Sequence, residues 1–257
     1  MRLKTLLAVT SMLAWAATLH AEPVKVRLPE GNARGFLVLR TLEGAPIAYG
    51  ELRQKPVGAA IESVLALSFK DGSVREETAT FTQKEVLRLE AYRLVQRGPS
   101  FPTQEIAFDR KSGQYTAVTQ EKKGDEEKSA SGPLEMPADL YNGMALVLLK
   151  NLAPGARASG QVAVFLPKPR LLKMELGAEG EDRVTVGGQA KKVIRHLVNL
   201  EVGGLTGAIA SLIGKEPPDL RYWLAAGEVP AFVRFQGAMY LNGPVWRLEM
   251  APVEWPK

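Results

Sequence analysis

Ile61-Glu62-Ser63-Val64-Leu65-Ala66-Leu67-Ser68-Phe69-Lys70, followed at once by Asp71-Gly72-Ser73, decides the fold. Ile61, Leu65, Leu67 and Phe69 fall on one phase of a two-residue period, with Ser63 among them, while Glu62, Ser68 and Lys70 take the other. Successive side chains of an extended chain point to opposite faces, so this pattern predicts a strand with one face on a core. Asp-Gly-Ser then supplies the residues of a tight turn.

The same rhythm extends in both directions. Thr78, Thr80 and Thr82 form a ladder, and Leu87, Leu89 and Ala91 alternate with Arg88, Glu90 and Tyr92. Ile106 and Phe108 lead into Asp109-Arg110-Lys111-Ser112-Gly113, a hairpin signal, and Tyr115, Ala117 and Thr119 return from it. Further on, Val162, Val164 and Leu166 alternate, as do Leu172, Met174 and Leu176. The last strands are expected at Leu220 to Leu224, Ala231 to Gln236 and Val245 to Met250. Gly227-Glu228-Val229-Pro230 and Asn242-Gly243-Pro244 separate them as turns. Short strands without a βαβ rhythm predict a mainly β protein: an antiparallel open barrel or a two-sheet sandwich.

Two segments break the alternation. Pro137 to Leu152 carries Leu140, Met144, Val147, Leu148 and Leu152 three or four residues apart, a stripe that predicts one apolar helix. Pro137 suits its first turn and Pro154-Gly155 its end. A stripe of this kind needs a partner, and the concave side of the sheet is the expected one. Gly203 to Gly214 (GGLTGAIASLIG) is apolar, glycine-rich and uncharged, and reads as a short helix, a buried turn or a flap. Gln120 to Glu135 is polar and lacks a core face, which predicts an exposed hairpin tip or loop.

Composition narrows the classes. Arg2 and Lys4 precede the apolar run Leu6 to Ala17, and Ala21 offers a small residue for cleavage, so residues 1–21 read as a secretory signal peptide. Residues 22–257 are then expected to form a single β-rich domain. Without the leader the net charge is a mild +3, with basic and acidic residues interleaved, which argues against nucleic acid. No later segment is long and apolar enough to predict a membrane-spanning helix, and the absence of aromatic girdles argues against an outer-membrane barrel. The chain has no cysteine, so an exported form has no disulfides and depends on a buried core, which 46% apolar residues can supply.

Few residues offer chemistry. After the leader His196 is the sole histidine, and it shares its phase with Ile194, Val198, Leu200 and Val202. That placement reads as a core histidine rather than a general base, and one histidine makes a poor zinc site. No Gly-x-Ser-x-Gly elbow or Ser-x-x-Lys is present. In Gly207 to Lys215 six residues, not four, separate the glycines, and Glu216 replaces the magnesium-binding hydroxyl of a phosphate loop. Glu76-Glu77 and Asp125-Glu126-Glu127 sit beside turns and read as solvated charge. Tyr222, Trp223, Phe232, Phe235, Tyr240 and Trp246 suit a β core first and a ligand pocket second.

Pro137-Ala138-Asp139-Leu140-Tyr141-Asn142-Gly143-Met144, Gly203-Gly204-Leu205 through Pro217-Pro218-Asp219, Val229-Pro230-Ala231-Phe232-Val233 and Gly243-Pro244-Val245-Trp246-Arg247-Leu248-Glu249 carry a resemblance. Over roughly its last half the chain resembles a family of exported bacterial proteins known only as a domain of unknown function. In architecture it is loosely similar to the lipoprotein carriers of the bacterial periplasm, open antiparallel barrels with helices over a hydrophobic hollow. The resemblance implies a cell-envelope location and a lipid-type ligand, and it transfers no catalytic residue.

The expectation is therefore a non-enzymatic binding protein, periplasmic in a Gram-negative bacterium or otherwise secreted, with no cofactor and no metal. Its partner would be a lipid, an acyl chain or a lipidated protein. Met144 and Leu148 would line the hollow, with Ile209 and Leu212 as a flap. The alternative is a structural or interaction module of the envelope with a filled core, and after it a hydrolase using scattered carboxylates.

Overall fold

A computed structural model describes residues 22–120, 122–166, 168–186, 188–201 and 219–251. The leader and the Gly203 to Gly214 segment, with Ile209 and Leu212, lie outside the described residues. β1 (Ala33–Arg40), β2 (Pro46–Val57), β3 (Ala60–Phe69), β4 (Val74–Gln83), β5 (Leu87–Arg97), β6 (Gln104–Asp109), β7 (Gln114–Thr119) and β8 (Lys128–Pro133) precede a helix, α1 (Ala145–Asn151). β9 (Arg157–Phe165), β10 (Pro169–Val186), β11 (Gln189–Glu201), β12 (Leu220–Ala225), β13 (Phe232–Ala238) and β14 (Val245–Met250) follow.

All fourteen strands belong to one antiparallel sheet in the order β8-β7-β6-β5-β4-β3-β2-β1-β14-β13-β12-β11-β10-β9. Each strand pairs with its neighbour in sequence, except that β1 pairs with β14 and β8 does not pair with β9. The sheet is thus an unclosed barrel, with its gap between β8 and β9 and the segment carrying α1 joining the two edges. The sheet curls because both wings bury their inner faces against the same helix. Phe81, Leu89 and Ile106 from one wing share a core with Met174, Val198 and Leu224 from the other, around Val147, Leu148 and Leu149 of α1. Ring contacts of Phe165 on β9 with Phe108 on β6 (6.0 Å between centroids) and Tyr115 on β7 (5.4 Å) bring the edge regions together. A second core, with Leu37, Leu39, Phe69, Phe235 and Trp246, packs beside β1, where the two chain halves join.

The strand pattern follows the alternation of the quoted stretch. Ile61, Ser63, Leu67 and Phe69 are buried on β3, and the Asp71 carboxylate accepts the Ser73 N–H (2.9 Å) in the turn, where Gly72 adopts φ +84°. One phase differs from the sequence reading. On β5, Tyr92 shares the outer phase of Arg88 and Glu90 by simple alternation, yet it is buried. Thr80 lies opposite Ala91 and Phe81 opposite Leu89, so Glu90 is a bulge residue that turns everything after it over.

The helix is shorter than the stripe implies. It starts after Met144, because Gly143 adopts φ +70° and residues 139–142 bond to β9 instead. The Tyr141 N–H donates to the Gln161 carbonyl (2.9 Å), the Gln161 N–H donates to the Asp139 carbonyl (2.8 Å), and the Asn142 side chain exchanges two 2.8 Å bonds with Ala163. Leu140, placed on the helix by its spacing, lies in a bridge to Gln161 that covers the β9 edge. The polar stretch Gln120 to Glu135 also departs from a plain loop, since Lys128–Pro133 forms the edge strand β8. An edge strand needs backbone pairing on one side only, so small polar residues suffice and no apolar face announces it.

Residues 24–30 pass over α1 as a strap. Asn151, 2% exposed, accepts the backbone N–H groups of Arg27 (2.7 Å) and Leu28 (2.8 Å) on Oδ1 and donates to the Val147 carbonyl (2.9 Å). Lys150 donates to Glu30 (2.7 Å), and the Val24 N–H donates to the Tyr141 hydroxyl (3.1 Å). N151A leaves two strap N–H groups without an acceptor, and a drop in unfolding free energy of about 2–3 kcal/mol, read from urea titration, is expected.

Candidate functional site

Between the two cores lies a hollow of about 350 Å³, within the range of roughly 300–1,000 Å³ typical of small-molecule sites. Its two walls differ. β9–β12 and the helix present mainly hydrocarbon: Leu146, Val162, Leu172, Met174, Leu200 and Leu220 border it. β2–β6 present Leu52, Leu65, Leu94 and Ile106 interleaved with Gln54, Ser63, Arg75, Glu77, Tyr92 and Gln104. The polar residues face inward because they share the phase of the buried positions. On β4, Arg75 and Glu77 precede Ala79 and Phe81 on one side of the strand, opposite the threonine ladder.

Arg75 is the centre of this polar patch. It is 8% exposed, and its Nη2 lies 3.2 Å from Glu77 Oε2. Nη1 donates to Gln96 Oε1, and Gln96, fully buried, donates in turn to the Pro102 carbonyl (3.2 Å). The Tyr92 hydroxyl donates to Glu77 Oε1 (2.7 Å). Burial, reinforced by the Glu77 charge, pushes the Tyr92 phenol well above its ordinary value, so it remains a donor. The Arg75 Nε–H is buried and has no hydrogen-bond partner. On the opposite wall Tyr222 borders the hollow. Burial first, then the Glu77 charge, pushes up its phenol, and its hydroxyl forms no hydrogen bond with the described residues.

The residues singled out from the sequence separate. Met144 and Leu148 are both 0% exposed and pack within the core around α1, behind the hollow; Ala145, Leu146 and Val147 border it instead. Ile209 and Leu212 lie outside the described residues. Of the paired carboxylates, Glu76 is exposed and paired with Arg93 (3.3 Å), and Asp125, Glu126 and Glu127 are exposed. Glu77 departs from the expectation of solvated charge: it points inward, one residue and one face away from Glu76. It is the one carboxylate bordering the hollow among the described residues, so the hollow offers no second acid for paired-carboxylate chemistry.

His196 is 8% exposed, with Nδ1 3.1 Å from the Ile194 carbonyl, and burial lowers its pKa; it does not border the hollow. The late aromatics divide among three places. Tyr222, Phe232, Phe235 and Tyr240 border the hollow, Trp246 packs in the second core, and Trp223 lies on the other face, donating to Asp182 (2.9 Å) under the Arg234 guanidinium. Among the described residues no three His, Asp or Glu side chains gather into a metal-holding group, and no helix is long and apolar enough to cross a membrane.

Sequence reasoning missed Arg75, Tyr92 and Gln96. The signal for Arg75 was present, since it stands two and four residues before Glu77 and Ala79 on the inner phase. Nothing local marks the bulge at Glu90 that turns Tyr92 and Gln96 inward. Comparisons of the chain with protein-family models, with curated proteins and with solved structures returned no match.

Proposed function

We propose that this chain is a non-enzymatic binding protein of the cell envelope that carries one acyl chain in the hollow. The observation that supports this reading most is the hydrocarbon wall that α1 and β9–β12 present to the hollow. An acyl chain gains about 0.8 kcal/mol for each methylene removed from water, so a handful of methylenes gives micromolar affinity once ordering is offset. At about 350 Å³ the space suits a single chain rather than a many-chained lipid. The basic, apolar leader supports export, and the periplasm of a Gram-negative bacterium is the proposed location. The acyl chain belongs to a free amphiphile or to a lipidated protein.

The test uses protein purified from an envelope-exporting host. Native mass spectrometry should detect a bound species in the mass range of a single-chain lipid, and a fluorescent fatty-acyl probe should bind one-to-one with micromolar affinity. A clean apo mass together with no probe binding would overturn the reading and favour an interaction module that leaves its interior unused.

A further inference from the structure

The polar patch inside the hollow has a definite charge balance, and this bears on what kind of acyl ligand fits. Arg75 and Glu77 are paired across 3.2 Å, and they are the charged side chains that border the hollow among the described residues. The patch therefore carries no net charge. Across the space the Tyr222 hydroxyl borders the hollow and forms no hydrogen bond with the described residues. The Arg75 Nε–H has no partner either, but it is fully buried and sealed from the open space of the hollow.

An ionised carboxylate or phosphate is a poor fit to this patch. It would add a negative charge beside the Glu77 carboxylate, whose own charge already neutralises Arg75, and leave a net buried anion. An ester, amide or alcohol oxygen accepts from the Tyr222 hydroxyl without disturbing that balance. Resting on the acyl-carrier reading above, we propose that the hollow selects acyl chains whose polar end is uncharged, an ester, amide or alcohol, received by the Tyr222 hydroxyl beside the neutralised Arg75–Glu77 pair. Glu77 acts as the selector by holding the Arg75 charge neutralised, so free fatty acids are rejected at neutral pH.

The experiment is displacement of a bound neutral fluorescent acyl ester by twelve-carbon competitors at pH 7.5: monolaurin, dodecanol and laurate. Monolaurin and dodecanol should displace the probe at concentrations at least tenfold below laurate. E77Q keeps an acceptor for Tyr92 but leaves the Arg75 charge uncompensated, so the order should invert, with laurate gaining at least tenfold. Laurate should also raise the melting temperature of E77Q more than that of the parent. Equal competition by all three, or a preference for laurate in the unmodified protein, would overturn the selection while leaving the carrier reading intact. Absence of probe binding and of any displacement would instead remove the carrier reading itself. If E77Q does not fold, Y222F supplies the second readout: loss of the monolaurin advantage with laurate unchanged supports the selection, and no change overturns it.

Discussion

The L146W/L200W variant should lose affinity for a twelve-carbon acyl ester by roughly 100-fold while still folding. Leu146 reaches the hollow from α1 and Leu200 from β11, and both are half-buried because one side of each faces that space. Each packs against the first core on one side and borders the hollow on the other, so a larger side chain has open space to enter, unlike one at Leu148, which is fully buried behind it. Losing room for about four methylenes, at about 0.8 kcal/mol each, amounts to about 3 kcal/mol, or roughly two orders of magnitude in affinity. Probe titration measures the loss, and an unchanged sheet signal in far-ultraviolet circular dichroism shows that the fold persists. Full binding by the double variant would mean that the acyl chain sits elsewhere.

The largest stability effect is expected at Gly50, in the middle of β2. A Cβ built there would stand 1.8 Å from the Ala66 carbonyl oxygen and 2.9 Å from Leu67 Cδ2 on β3. The first of these neighbours is backbone, so it cannot rotate away. β2 and β3 approach so closely at this pair that only a residue without a side chain is tolerated. G50A should therefore lower the unfolding free energy by about 3 kcal/mol or more, at or beyond the upper end of ordinary overpacking. G31A is the control: nothing lies within 4 Å of a Cβ at Gly31, and its stability should be close to that of the parent. Urea titration of both variants decides the matter. Matching midpoints would show that the close approach at Gly50 is relaxed in solution.

The fold was legible in the sequence to the extent that each strand carries its own period. Ile61 to Phe69 sets the inner phase, and the turns after it are written in Asp, Asn and Gly. What alternation cannot reveal is a change of phase inside a strand. Glu90 is an ordinary residue for a strand, and the register with β4 alone makes it a bulge. The start of the helix was obscured for a related reason. Leu140 and Met144 have helical spacing, but Asn142-Gly143 between them is a turn, and the backbone of residues 139–142 finds its partners on β9, a strand that sequence spacing does not bring near. Edge strand β8 left no apolar trace.

The site was less legible than the fold. The apolar lining follows from the same alternation, yet which apolar residues face space and which face one another depends on how far the sheet curls. Met144 and Leu148 belong to the stripe that packs, while Leu146 lies on the flank that borders the hollow. The charged pair inside was hidden by the ordinary rule that carboxylates stay in water. Glu76 obeys that rule and Glu77, its neighbour, does not, because Arg75 accompanies it inward and supplies the opposite charge.

The pairing of β1 with β14 sets an order of events during synthesis. Every other pair in the sheet joins strands adjacent in sequence, which can zip together as soon as both have emerged. β1 has β2 early, but its other margin waits for Val245–Met250, more than two hundred residues later. Until then a growing chain presents two incomplete meanders, each with an open margin able to template foreign strands. The two halves stay unjoined until the final hairpin arrives, and a chain cut short before residue 245 lacks the strand that closes them.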